Sequence, residues 1–146
     1  MICTDAEIIG PWVYKRINGH WLPGKGTAIG RIHNGVVIAG VVYEEYTGTN
    51  MVCHIAGEGA WANREFLSAI FDYPFNHAKV SRLTAPISSL NLKSRRLVEK
   101  MGFIIEGKLS QAIPDGDLLL YKMFKLDCKY LGNRYGKRFI NPPPSS

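Results

Sequence analysis

Proton transfer near neutral pH is the chemistry this sequence offers most openly. His20, His33, His54 and His77 carry the side chain whose ordinary pKa lies nearest neutrality, and they show no metal-binding spacing. His54 stands just before the small-residue loop Gly57-Glu58-Gly59-Ala60. A loop of that composition can turn successive backbone N–H groups toward an anion. Glu58 places a carboxylate in this loop, and Arg64 follows on the first turn of the helix expected next. A second stretch, Gly24-Lys25-Gly26-Thr27, resembles the tail of a phosphate-binding loop but lacks the glycine required before its Gly-Lys pair. It reads as a turn. Glu44 and Glu45 are neighbours, so a strand sends them to opposite faces and only one can line a given groove.

The elements that must position these groups are clearest in residues 61–107. Phe66, Leu67, Ile70, Phe71 and Phe75 recur on one broad helical face, and residues 79–87 (KVSRLTAPI) alternate like a strand. Asn91 can cap a helix that runs to Met101, with Leu97, Val98 and Met101 inward and Gly102 as its left-handed stop. Residues 103–109 (FIIEGKL) return to strand. Upstream, residues 4–18 predict an opening helix capped by Thr4 or Asp5, with Ile8, Ile9, Trp12 and Val13 on its apolar side. Pro11 is expected to break that helix or to start it. A loop over residues 20–26 leads into three strands, Thr27–His33, residues 36–46 and residues 51–56. Asn34-Gly35 is a strong two-residue hairpin signal between the first two, and residues 47–50 turn the chain into the third. Gly40 marks a bulge or a point of close packing. A last hairpin turns at Pro114-Asp115-Gly116-Asp117 and returns over residues 118–124.

With 146 residues the chain suits one domain able to bury a core without staples. Hydrophobic residues at 46% and charged residues at 21% place it among soluble globules rather than disordered or membrane chains. No apolar run approaches the ~20 residues of a membrane span, and the start of the chain lacks a signal-peptide pattern. Cys3, Cys53 and Cys128 are odd in number and form no Cys-x-x-Cys pair, so neither a zinc site nor a disulfide framework is indicated. A cytoplasmic protein is expected. The net charge of +6 favours an acidic partner, whether nucleic acid, nucleotide or a cofactor carrying phosphates. Residues 1–126 read as the domain and residues 127–146 as an extension. There Lys129, Arg134, Lys137 and Arg138 interleave with Tyr130, Tyr135 and Phe139 before three prolines and two serines. That pattern suits single-stranded nucleic acid, and it equally suits a strap whose rings pack on the body and whose tip is disordered.

Asn91, Ser94, Leu97, Glu99, Lys100, Gly102, Phe103, Glu106 and Gly107 (N..S..L.EK.GF..EG) follow Tyr73, Phe75 and Arg82 at unbroken spacing. Together they resemble the C-terminal half of the GCN5-related N-acetyltransferases, the GNAT family. The branch that acetylates ribosomal-protein N-termini is similar, and certain small phage-encoded GNAT-like proteins, with the W..REFL start and YPF end of the first helix, are more similar still. The resemblance implies an α/β fold on a mixed, mostly antiparallel sheet, with parallel fourth and fifth strands splayed around a cofactor cleft.

It further implies an N-acyltransferase, most plainly an N-acetyltransferase. The donor would be acetyl-CoA or a related thioester, and the acceptor an amine on a protein, a small molecule or a nucleic-acid base. Phage origin would place it in the host cytoplasm. Asn91 and Ser94 match family residues that contact the pantetheine and phosphate region, although a helix cap alone would also call for Asn91. The pyrophosphate-loop positions fall on Ala56, Gly59 and Trp61, of which only Gly59 keeps the family's residue; Arg64 is the compensating cation. His54 and Glu58 stand near the end of the fourth strand, where the family often positions a base. The family's frequent Tyr acid is Val98 here. Its degenerate loop keeps an alternative open: a non-catalytic or atypical GNAT-fold phage protein, acting as a virion component, nucleic-acid binder or base modifier. Pairing into a homodimer through the last strands is a weaker third reading.

Overall fold

Small and β-branched residues at alternate positions build the middle of the sheet, and the connections between them set its order. The computed structural model describes residues 1–131. Arg134, Tyr135, Lys137, Arg138 and Phe139 of the basic, aromatic extension lie outside the described residues. In chain order the elements are β1 (Ile2–Cys3), α1 (Ala6–Arg16), β2 (Thr27–His33), β3 (Val36–Glu44), β4 (Asn50–Gly57), α2 (Arg64–Asp72), β5 (Arg82–Ser88), α3 (Leu92–Met101), β6 (Ile104–Ile113) and β7 (Gly116–Phe124). A π-helical turn at Tyr73–His77 prolongs α2. The strands form one seven-stranded sheet in the order β1-β2-β3-β4-β5-β7-β6. Every adjacent pair is antiparallel except β4 and β5. The architecture is therefore the mixed, mostly antiparallel α/β sheet expected. No helix among the described residues is long and apolar enough to cross a membrane.

Contrary to expectation, Pro11 neither breaks nor starts the opening helix. Helix α1 runs unbroken through it, capped by the Asp5 side chain, which accepts from the Glu7 amide at 3.0 Å. Proline removes one hydrogen bond, to the Glu7 carbonyl, but both Pro11 and Glu7 are exposed, so water can serve that oxygen. Packing on either side outweighs the loss. Ile9 and Val13 are fully buried in a cluster with Ala28, Val42 and Ala56 on one face of the sheet. Gly40 lets α1 approach this closely: a Cβ there would meet Ile9 Cγ2 and Val13 Cγ2, each at 2.7 Å. Of the two roles open to Gly40 the structure selects close packing; the bulge in β3 falls two residues earlier, at Ile38, which the register leaves unpaired opposite Arg31 and Ile32. Because both neighbours are stiff β-branched side chains, Gly40→Ala should destabilise the protein by about 2 kcal/mol. A lowered urea midpoint at unchanged m-value would show it.

Helices α2 and α3 cover the opposite face. Asn63 caps α2 by accepting from the Phe66 amide at 2.8 Å, and Phe66, Ile70, Phe71 and Phe75 enter the larger core with Leu83, Val98, Met101 and Phe103. The buried Tyr43 hydroxyl ties β3 to α2 by donating to the Ile70 carbonyl at 2.5 Å. Gly102 ends α3 at φ 112°, the left-handed stop its position predicts. After a 3₁₀ turn at Lys125–Asp127 the chain packs back on this layer. Cys128 is buried, and Tyr130 stacks on Phe71 with centroids 5.0 Å apart.

The feature that matters most for function is where β4 and β5 part. They pair only at Asn50↔Arg82, Met51↔Leu83 and Val52↔Thr84, although β4 runs on to Gly57 and β5 to Ser88. Pro86 supplies a cause. The Arg82 amide bonds Thr49 on the β4 side, and the Ser89 amide bonds Asp117 on the β7 side. By the alternation of a strand, position 86 faces β4, and proline has no N–H to continue the ladder there. Pairing with β7 is kept along all of β5, so the opening is confined to one side.

Candidate functional site

Between the parted strands lies a narrow cavity of about 50 Å³ lined by Ile17, His54, Ile55, Pro86, Val98 and others from β4, β5 and α3. It shares Ile55, Asn91 and Ser94 with a wider cleft of about 320 Å³. This cleft is walled by the end of β4, Glu58 and Trp61 on one side and by α3 on the other, with Arg16 contributed by α1. Lys93, Arg96 and Lys100 also line it, and their spacing of three and four puts them on one face of α3. The combined shape is a slot, apolar and slender at one end and strongly cationic at the other.

His54 stands at the slender end and does not merely pack in the sheet. Its Nε2 lies 3.0 Å from Glu44 Oε1, and Tyr14 donates its hydroxyl to the same oxygen at 2.7 Å. The Tyr14 ring tilts against the imidazole at 5.4 Å. The side chains of His54 and Glu44 are only 14% and 11% exposed, so the pair is shielded from water. A carboxylate can only accept, which assigns the proton on the ring to Nε2 and leaves a lone pair on Nδ1. Burial lowers the His54 pKa below its usual 6.5, and the hydrogen bond to Glu44 opposes this without overcoming it. The imidazole is therefore neutral at pH 7. Burial first, then the bond to Glu44, pushes the Tyr14 phenol well above its usual range, so it remains a donor. Of the two adjacent glutamates, Glu44 turns to this site, while Glu45 pairs with Lys25 at 3.6 Å.

The loop after β4 holds Gly59 at φ 64° with open space around it. Trp61 does not fill the loop; its indole turns inward, 7% exposed, onto Gly57 and edge-on to Phe66 at 5.8 Å. Arg31 Nη1 reaches across from β2 to the carbonyls of Ala60 and Trp61 at 3.2 and 2.6 Å. In a planar trans peptide the N–H points opposite to the carbonyl, so the amides of Trp61 and Ala62 face away from Arg31. Glu58 is exposed and bound to Arg16, with Oε2 2.8 Å from Nε. That bond is the main reason its carboxyl is held below the ordinary glutamate value. Arg64 opens α2 and is exposed, but it does not line the cleft.

Asn91 and Ser94 line both cavities. Asn91 is also a true cap, its Oδ1 accepting from the Ser94 amide at 3.1 Å. Asn91→Ala should cost about 1 kcal/mol of stability through the cap, whereas Asn91→Ser retains a capping oxygen and should cost little. If Asn91→Ser melts normally yet binds ligand more weakly, the amide does more than cap. Of the residues singled out in the sequence, His54, Glu58, Asn91 and Ser94 line these cavities and Gly59 lies on the adjoining loop; sequence reasoning missed Tyr14, Arg16, Lys93, Arg96 and Lys100. The last three carried a signal, the spacing of three and four that gathers basic residues on one face of α3.

Neither a family model nor a curated protein matches the chain. Solved structures do. A GNAT-family acetyltransferase from Bacillus anthracis is 20% identical over 82% of this chain and 82% of that chain, with a TM-score of 0.54. The spermidine N-acetyltransferase of Vibrio cholerae, in complex with CoA and spermine, is 16% identical over 84% of this chain and 76% of that one, with a TM-score of 0.60. A probable acetyltransferase is 19% identical over 82% and 70%, with a TM-score of 0.57. The chain has the GNAT fold.

Proposed function

We propose that this protein is an N-acyltransferase that takes an acyl group, most simply acetyl, from a CoA thioester and passes it to an amine. The observation that carries this reading is the slot between β4 and β5. Two strand edges that part after Val52 and Thr84 face each other with backbone donors and acceptors left over. A slender chain bearing amide groups fits between such edges as a partial strand would. The cationic end suits the phosphates of the same molecule, so the groups present fit coenzyme A. Asn91, Ser94 and the amides around Gly59 would hold the donor, and the fold is one that binds CoA in the Vibrio cholerae neighbour.

When bound, the thioester supplies an activated acyl carbon, and the protein's task is to position it and to deprotonate the acceptor. On this reading His54 Nδ1 accepts the proton of the acceptor ammonium. Glu44 fixes the tautomer through Nε2–H and stabilises the imidazolium that results, and Tyr14 holds Glu44. Glu58 suits the role of base less well, because its bond to Arg16 stabilises the ionised form and weakens its affinity for a proton. The acceptor class is open among peptide, small-molecule and nucleic-acid amines.

Calorimetric titration with acetyl-CoA, followed by thiol release in the presence of peptide N-termini, polyamines and short oligonucleotides, tests the reading. A micromolar dissociation constant and acyl transfer to one acceptor class would support it. No heat at millimolar acetyl-CoA would end it.

A further inference from the structure

Four cations face the wide cleft, and of these Arg16 alone forms an ion pair within 4 Å among the described residues. Lys93, Arg96 and Lys100 span about 10 Å along α3 at the helical rise of 1.5 Å per residue, too far for one phosphate to meet them all. Arg16 arrives from the other side of the sheet. Its guanidinium lies over the Trp12 ring at 3.7 Å from the centroid, and Nη1 donates to the Trp12 carbonyl at 3.0 Å. The head group is thus pinned at one edge. The other edge is held by Glu58, the sole carboxylate lining this cleft among the described residues. Lys93 lies close enough to favour the ionised Glu58 as well.

We propose that side chains of α3 and α1, namely Lys93, Arg96, Lys100 and Arg16, form the phosphate site of the acyl donor, and that Glu58 is a built-in competitor for Arg16. In the free protein the Glu58 carboxylate stands in for a phosphate oxygen and neutralises Arg16. A donor carrying several phosphates displaces it, and Arg16 turns from Glu58 to the ligand while keeping its contact with Trp12. The ligand class is a nucleotide bearing a diphosphate and a further phosphate, attached to a slender arm. This inference rests on the acyltransferase reading, because the arm is what the slot between β4 and β5 accepts. It differs from a site made of loop amides alone: the selectivity for phosphate resides in side chains of two helices, α1 and α3.

Titration of the full chain with coenzyme A and with pantetheine, at fixed ionic strength, tests it. Glu58→Gln should tighten coenzyme A about fivefold, the scale of an exposed ion pair, and leave pantetheine unchanged. Arg16→Ala should weaken coenzyme A roughly tenfold, as expected for loss of a charge-assisted contact. In the Arg16→Ala background Glu58→Gln should then have a clearly smaller effect, the remainder being its weaker interaction with Lys93. If Glu58→Gln tightens coenzyme A equally in both backgrounds, Glu58 acts only as a distant charge and the competition is overturned, with the acyltransferase reading intact. Equal affinity for pantetheine and coenzyme A, unmoved by Lys93→Gln or Arg96→Gln, would overturn the phosphate site. Binding of neither ligand would remove the acyltransferase reading and this proposal together. A single-stranded oligonucleotide that binds through these four residues while coenzyme A does not would assign the cations to nucleic acid instead.

Discussion

His54→Ala should lower kcat by about 10²- to 10³-fold, the range for loss of a positioned general base, while the affinity for the acyl donor changes little. The expectation follows from position: His54 lines the slender end of the slot, away from the cations that line the wide end. The pH profile separates a base from a packing residue. Burial holds the His54 pKa below 6.5, and only the neutral ring accepts a proton, so kcat/KM should rise with pH through an inflection below 6.5 and then level off. The groups facing the ring are Glu44 of β3 and Tyr14 of α1, while the β5 wall of Ala85, Pro86 and Ile87 is uncharged. Glu44→Gln removes the one charge that raises the pKa, so the inflection should move lower still as activity falls. The same shift sets a stability trend. A group whose folded pKa lies below its unfolded value stabilises the fold fully above about 6.5. That contribution is lost as pH falls through 6.5 toward the folded value. A pH–rate profile without an ascending limb, or a His54→Ala protein with full kcat, would rule the role out.

How much of this was readable from the chain depended on whether the cause was local. Asn91, Gly102 and Asn34-Gly35 act through their own backbone, so cap, stop and hairpin stood in the sequence as they stand in the structure. Pro11 misled because the helix around it is held by Ile9 and Val13 against Gly40, a contact between distant segments that local propensity does not register. Pro86 is the opposite case. It was legible as part of a strand, but its meaning appears only once the side facing β4 is known. The site divides in the same way. His54 was a candidate by residue type alone; its tautomer and lowered pKa depend on Glu44 and Tyr14, which no spacing connects to it. Arg16 was invisible for the same reason, since its partner Glu58 belongs to another element.

Substitution of Trp61 is the second strong test. A bulky indole directly after the small-residue loop Gly57-Glu58-Gly59-Ala60 either obstructs that loop or supports it. The structure shows it packed at the base of the loop, against the backbone of Gly57 and edge-on to Phe66, 7% exposed, with the space around Gly59 left open. Its burial makes it part of the core. Trp61→Ala should therefore cost about 3–5 kcal/mol, lowering Tm by roughly 10 °C for a domain of this size, and Trp61→Phe should recover much of that. The coenzyme A affinity of the folded fraction should not improve, since the ring never blocked the loop, and loosening Gly57 also frees Glu58 beside it. An obstructing ring makes the contrary prediction, a Trp61→Ala protein that melts near wild type and binds coenzyme A more tightly. Calorimetry on one variant, by melting and by titration, decides between an indole that closes the anion loop and one that supports the loop from below.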